Sequence, residues 1–183
     1  MNDVMNIIDE EFEFMTEHLY QQAEAFHQVF DDRQPEQPTA LNQEELMNRV
    51  GFILEELTEL AVSHCQTEQS INQVFTEMTE RLNSAKQKLL NKADNTNLPI
   101  VQQADSLGDI IYLAFGSYVL MGVEPTHTLS AIHSANMHKL FPDGQPHRDP
   151  ITNKVLKPQE WEAKYKPEPK ISADIEQQVK YSH

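Results

Sequence analysis

Apolar residues recur at intervals of three and four along most of the first 140 residues, and this spacing constrains the fold more than any other feature. Such spacing places the apolar side chains of a segment on one face of an α-helix. Asn42 followed by Glu45 is typical of a helix start, and Gly122 of a helix end. The predicted helices cover about residues 3–31, 42–64, 70–92, 100–122 and 125–140.

The segment from residue 141 to the end has a different character, with recurring prolines and clustered lysines. Asp143-Gly144 predicts a tight turn, and Thr152-Asn153 a short hairpin. The sequence therefore predicts an all-α fold of one domain, consistent with only 5 glycines in the chain. We expect a helical bundle of about five helices over residues 1–140 and an irregular, proline-rich basic arm over 141–183.

The composition narrows the possible partners. Lys and Arg number 14 against 29 Asp and Glu, a formal net charge of −15, which disfavours binding to a nucleic-acid polymer. The single cysteine excludes an intramolecular disulfide framework. The first residues are acidic, unlike a signal peptide, and no uninterrupted apolar run approaches the roughly 18 residues of a membrane span. We therefore expect a cytoplasmic protein with no membrane partner.

Carboxylates cluster at two places where the helical pattern groups them. Glu55, Glu56 and Glu59 fall within about 100° of arc on the second helix, and Asp105 and Asp109 lie one turn apart on the otherwise apolar fourth helix. Like charges this close repel unless a cation compensates them. Oxygen ligands favour Mg²⁺, with Mn²⁺ or Ca²⁺ as further choices. For the glutamates, a solvated helix face remains the alternative interpretation.

The same segments resemble the motifs of a known enzyme superfamily. ILEELTEL at residues 53–60 and ADSLGDIIY at 104–112 resemble the all-α nucleoside triphosphate pyrophosphohydrolases, which include MazG-like enzymes and dimeric dUTPases. HSANMHKL at 133–140 and DGQPHRDPITNKVLKP at 143–158 resemble the MazG-related, phosphoribosyl-ATP pyrophosphohydrolase-like branch. The likeness covers about residues 20–165.

The resemblance implies a role for each matching residue. Glu56, Glu59 and Asp109 would be Mg²⁺ ligands, and Glu55 and Asp105 would be further ligands or would support them. The same residues would make up the catalytic set, with either Glu55 or Asp105 orienting or deprotonating the attacking water.

The predicted phosphate contacts lie later in the chain. By resemblance, Asn136 and Lys139 would contact substrate phosphates. Arg148, Lys154 and Lys157 of the basic arm could fold over the phosphates as a lid, or the arm could pack on a partner subunit. Several aromatic residues are candidates either for stacking on the base or for ordinary packing: Phe26, His27, Phe52, Tyr112 and Trp161.

The resemblance implies hydrolysis of a nucleoside triphosphate to pyrophosphate and a nucleoside monophosphate by a homo-oligomer, either a dimer or a tetramer. The second motif of the superfamily is Glu-x-x-Asp, but Ser106 stands three residues before Asp109, and Gln102 three residues before Asp105. One carboxylate of the superfamily is therefore missing or is supplied by Asp105. A Mg-nucleotide-binding or sensing protein without turnover is therefore a second interpretation. An acidic helical interaction module without metal is the third.

Overall fold

The computed structural model describes residues 18–92 and 96–181, and within them the chain is all-helical, as the sequence predicts. Residues 3–17 of the first predicted helix lie outside the described residues. Helix α1 is described over residues 18–30, and the others are α2 (Gln43–Val62), α3 (Glu68–Leu90), α4 (Pro99–Met121), α5 (Thr126–Met137), α6 (Trp161–Lys164) and α7 (Glu168–Tyr181).

The helix ends follow local chemistry. At the start of α2, the Asn42 side chain accepts a hydrogen bond from the Glu45 backbone, while the Glu45 carboxylate accepts one from the Asn42 backbone, as predicted. At the end of α4, Gly122 adopts a φ of 68°, and its N–H donates to the carbonyl of Val119. A glycine reaches this backbone region without steric cost, so α4 ends where the sequence predicts.

The described residues 37–92 and 96–110 form one compact unit. Helix α2 packs against α3 in this unit. The side-chain amide of Gln103 both accepts from the N–H of Leu41 at 2.9 Å and donates to its carbonyl at 3.0 Å. This pair of bonds ties the segment before α2 to the first turns of α4.

The described residues 18–36 and 111–181 form the second unit. Helix α7 packs against α5, and the Gln178 side chain bonds the backbone of Glu124 in both directions. The residues buried on α5 are Thr128, Ala131 and Ala135. Small side chains therefore form the buried face of α5, whereas the larger Ile132 is exposed.

The arm after residue 140 is more regular than predicted. A β-bridge pairs Arg148 with Val155, with Asn153 at φ 57°, so the predicted hairpin is present. The rest of the arm contains α6 and α7, which the prediction of an irregular segment missed. Pro167 does not break structure here: its carbonyl accepts from the N–H groups of Lys170 and Ile171 as α7 begins.

Helix α4 differs from its predicted setting. The apolar composition suggests a buried central helix, yet no residue of α4 is buried in the single chain. Large apolar side chains of α4 remain exposed, and that of Leu120 is 90% exposed. None of the described helices combines the length and the apolarity needed to cross a bilayer.

Candidate active site

The predicted glutamates lie in the second half of α2. Glu55, Glu56 and Glu59 are all exposed, and the carbonyl of Glu55 accepts a hydrogen bond from the Thr58 hydroxyl at 2.7 Å. Because Glu56 and Glu59 are three residues apart on a helix, their side chains leave the same face. This part of α2 therefore presents adjacent carboxylates to solvent.

The predicted aspartates lie in the first half of α4. Asp105 and Asp109 are exposed, one turn apart and just beyond Gln103. The expectation that these two acids project from a buried helix is wrong for the single chain. Asp105 and Asp109 nevertheless lie on one face of α4, as their spacing predicts.

The single chain does not gather these two sets of acids into one cluster. Within residues 18–92 and 96–181, no three Asp, Glu, His or Cys side chains are close enough together to hold a metal ion. The bonds between Gln103 and Leu41 link the segment before α2 to the first turns of α4 and involve none of the five acids.

The donor set nevertheless fits a hard divalent cation. Both groups consist of carboxylate oxygens, which Mg²⁺ prefers, and each helix presents its acids on one exposed face. The predicted Mg²⁺ ligands Glu56, Glu59, Asp105 and Asp109 remain a prediction.

A basic cluster forms in the other unit around Trp161. This side chain is 5% exposed, and its indole N–H donates to the carbonyl of Ala135 at 2.8 Å. The Lys157 ammonium lies 4.2 Å from the centre of the indole ring, and the Lys139 ammonium lies 5.9 Å from it. Asn136 directly follows Ala135 and is half-buried. Two predicted phosphate contacts, Lys139 and Lys157, are thus arranged next to one buried ring.

The remaining two basic residues lie in the hairpin. Arg148 donates to the carbonyls of Asn153 and Phe30 and to the carboxylate of Asp31, at 2.7, 2.5 and 2.6 Å. Its guanidinium therefore fastens the hairpin to the end of α1. Lys154 is exposed, and its carbonyl accepts from the N–H of Asp149. A phosphate contact by Arg148 or Lys154 remains a prediction.

The aromatic candidates for base stacking have different surroundings. Phe26 stacks on Phe30 with ring centres 4.2 Å apart, and Trp161 is buried, so both serve packing within the unit. Tyr112 is 78% exposed. Phe52 lies under the guanidinium of Arg49, 5.8 Å from the ring centre.

Sequence reasoning missed the long-range hydrogen bonds of Gln103 and Trp161. Each acts on a residue far away in the chain, Leu41 and Ala135 respectively. The periodicity of apolar residues reports only neighbours within a helix, so it carries no signal for such contacts.

Comparison with known proteins shows the family to which this chain belongs. The family model for phosphoribosyl-ATP pyrophosphohydrolase matches residues 23–136, which include all five predicted acids and Asn136. The chain belongs to the phosphoribosyl-ATP pyrophosphohydrolase family. Membership in this family identifies the protein as a hydrolase that acts on phosphoric anhydrides.

A solved structure is similar over most of both chains. It is the crystal structure of a candidate NTP pyrophosphohydrolase from Exiguobacterium sp. 255-15, with 32% sequence identity and a TM-score of 0.78. The match covers 90% of the present chain and 98% of the other. None of the curated proteins matches the chain. The likeness extends beyond the segment matched by the phosphoribosyl-ATP pyrophosphohydrolase model, so it includes most of the arm.

Proposed function

We propose that the chain hydrolyses a nucleoside triphosphate between its α and β phosphates, releasing pyrophosphate and a nucleoside monophosphate, with Mg²⁺ as cofactor. The observation that carries this proposal is the family match over residues 23–136, which spans both acidic motifs. The structural likeness to a candidate NTP pyrophosphohydrolase supports a triphosphate as substrate.

The role proposed for each residue follows from the chemistry of its side chain. Glu56, Glu59, Asp105 and Asp109 would hold Mg²⁺, which when bound supplies positive charge to the phosphates and acidifies a water molecule. Glu55, adjacent to the ligands, would accept a proton from the attacking water. Asn136 and Lys139 would bind phosphate oxygens through a neutral amide and an ammonium group.

We also propose that the working form is a homo-oligomer, in which a second copy completes the acidic site. Two observations support this. The described acids of one chain do not converge, and α4 carries apolar side chains that residues 18–92 and 96–181 leave exposed, including Val119 at 78% exposure. In a closed dimer or tetramer, a second copy would bury that apolar face. It would also bring its own carboxylates next to those of the first copy.

The decisive experiment measures pyrophosphate release from canonical and modified nucleoside triphosphates and from phosphoribosyl-ATP, with and without Mg²⁺. Glu56→Gln removes one charge while keeping the side chain's size, so we expect kcat/KM to fall by about a hundredfold or more. Glu80→Gln, an equal charge change on exposed α3, should leave the rate unchanged.

Two results would contradict the proposal. One is release that continues at full rate in chelator or in Glu56→Gln. The other is the absence of release from every compound, with the protein folded and Mg²⁺ present, which would favour the nucleotide-binding interpretation raised by Ser106.

A further inference from the structure

Helix α3 carries an apolar stripe with the spacing of a coiled-coil helix. Its apolar residues follow one another at alternating steps of four and three, a repeat of seven that keeps them on one side of the helix. We call this stripe the α3 seam, and its members are Ile71, Phe75, Met78, Leu82, Ala85 and Leu89. A stripe of this kind is typical of a helix that packs lengthwise against a second helix.

The described chain leaves most of the α3 seam uncovered. Helix α2 packs against α3, but every residue from 79 to 92 is exposed. Leu82 and Leu89 are 70% and 71% exposed. A single exposed leucine is ordinary in a folded protein, whereas an aligned row of apolar side chains marks a surface that a partner covers.

The charges of α3 are sorted along its length. Its glutamates lie between residues 68 and 80, its lysines follow at 86 and 88, and Lys92 lies two residues after the last residue of the helix. Arg81, between the two groups, donates to Glu77 of the same helix at 2.5 Å. Two parallel copies of α3 would therefore place like charges side by side. Two antiparallel copies would place the acidic part of each beside the basic part of the other.

One antiparallel register matches the whole seam to itself. The paired layers are Met78 with Leu82, Phe75 with Ala85, and Ile71 with Leu89. In this register the largest side chain of the seam lies opposite the smallest, which evens out the volume of the layers. Glu68 lies three residues before the seam and Lys92 three residues after it, so the same register also pairs these opposite charges.

We propose that α3 pairs antiparallel with α3 of a second copy of the chain, about a two-fold axis at the level of residue 80. Each layer then occurs twice, as a two-fold interface requires. Glu80 and Gln87, on the side of α3 opposite the seam, stay in solvent. This inference rests on the homo-oligomer of the proposed function and adds a second contact surface to the exposed face of α4.

The first test determines the orientation of the pair by disulfide cross-linking. Phe75→Cys and Ala85→Cys are expressed together with different tags, each in a Cys65→Ser background that removes the native thiol. Antiparallel pairing brings residue 75 of one chain against residue 85 of the other, so mild oxidation should link the two variants to each other. Gln87→Cys in place of Ala85→Cys is the control and should give no mixed disulfide. Variants linked only to themselves, or no link at all, overturn the proposal.

The second test measures the strength of the pair by sedimentation. Leu82→Glu places a charge at the centre of the seam, so we expect the oligomer to dissociate at least about tenfold more readily. Gln87→Glu adds the same charge on the opposite side of α3 and should sediment like the wild type. Equal dissociation of the two variants would overturn the pairing. If Leu82→Glu fails to fold, the cross-linking result decides.

These results are separable from the fate of the proposed function. A wild-type oligomer that Leu82→Glu leaves intact would reject the pairing of α3 and retain the homo-oligomer. A monomeric wild type would reject both. A chain that forms the mixed disulfide but releases no pyrophosphate from any triphosphate would reject the proposed hydrolysis and retain the pairing of α3.

Discussion

At the scale of single residues, Arg148 shows why a basic side chain in an acidic protein need not bind substrate. Its guanidinium donates to two backbone carbonyls and to Asp31, which also bonds His27. The sequence reveals the charge but not the acceptors, because Phe30 and Asp31 lie far from Arg148 in the chain. Only the fold shows that this arginine has these acceptors.

Removing this guanidinium should destabilise the unit that contains it. We expect Arg148→Met to lower the free energy of unfolding by about 1–3 kcal/mol, because three acceptors, two of them part-buried, lose a charged donor. Urea denaturation measures this, and Lys166→Met, at an exposed position, should change it by less than about 0.5 kcal/mol. If Arg148 instead serves only the phosphates, stability will be unchanged and KM will rise.

At the scale of elements, the helices with strong local signals were predictable. The capping pair of α2 and the glycine end of α4 involve only neighbouring residues, so the sequence contains all the information they need. Helix α7 was missed because prolines such as Pro167 and Pro169 are typical of loops. Proline is equally suited to the first turn of a helix. Both interpretations fit the residues, and packing against α5 decides between them.

The hairpin contains a carboxylate with a measurable acid sensitivity. The backbone N–H and then the hydroxyl of Thr152, followed by the N–H of Ile151, donate to Asp149 and lower the pKa of its carboxyl. A lowered native pKa means that the stabilising effect is complete above the ordinary value of about 3.9 and is lost as pH falls through the native value. We expect an NMR titration of Asp149 to give a midpoint below the ordinary value.

Asp149→Asn provides the control for this titration. The amide oxygen still accepts the same hydrogen bonds but does not titrate. Local hydrogen exchange around Thr152 should therefore lose its pH dependence below the ordinary pKa, after correction for the intrinsic exchange rate. A midpoint at or above the ordinary value would show that these bonds do not form in solution.

At the scale of the whole molecule, composition predicted an apolar fourth helix but not its surroundings. A run of aliphatic side chains is equally suited to the core of one chain and to an interface between two chains. The same holds for the acids. The sequence predicts which acids share a face of each helix, but it does not predict which helices pack together. This is why the predicted fold class is confirmed while the assembled metal site remains a proposal.

Assembly should be sensitive to a charge on α4. We expect the wild type to sediment as a homo-oligomer and Leu120→Glu to dissociate at least about tenfold more readily, since burial of a leucine contributes roughly 1.5–3 kcal/mol. Gln87→Glu, on exposed α3, adds the same charge and should not dissociate the oligomer. With a net charge of −15 per chain, association should strengthen as salt screens repulsion. A monomeric wild type at all concentrations would contradict the proposal.

Trp161 is the one tryptophan of the chain, and it is buried where the arm meets α5. Excited near 295 nm, where tryptophan absorbs almost alone, the protein therefore emits from one defined place. Release of the arm would expose the indole to water and move its emission to longer wavelengths, whether or not the helices unfold. Intrinsic fluorescence can thus follow the docking of the arm in real time, without a label and separately from the circular dichroism of the helices.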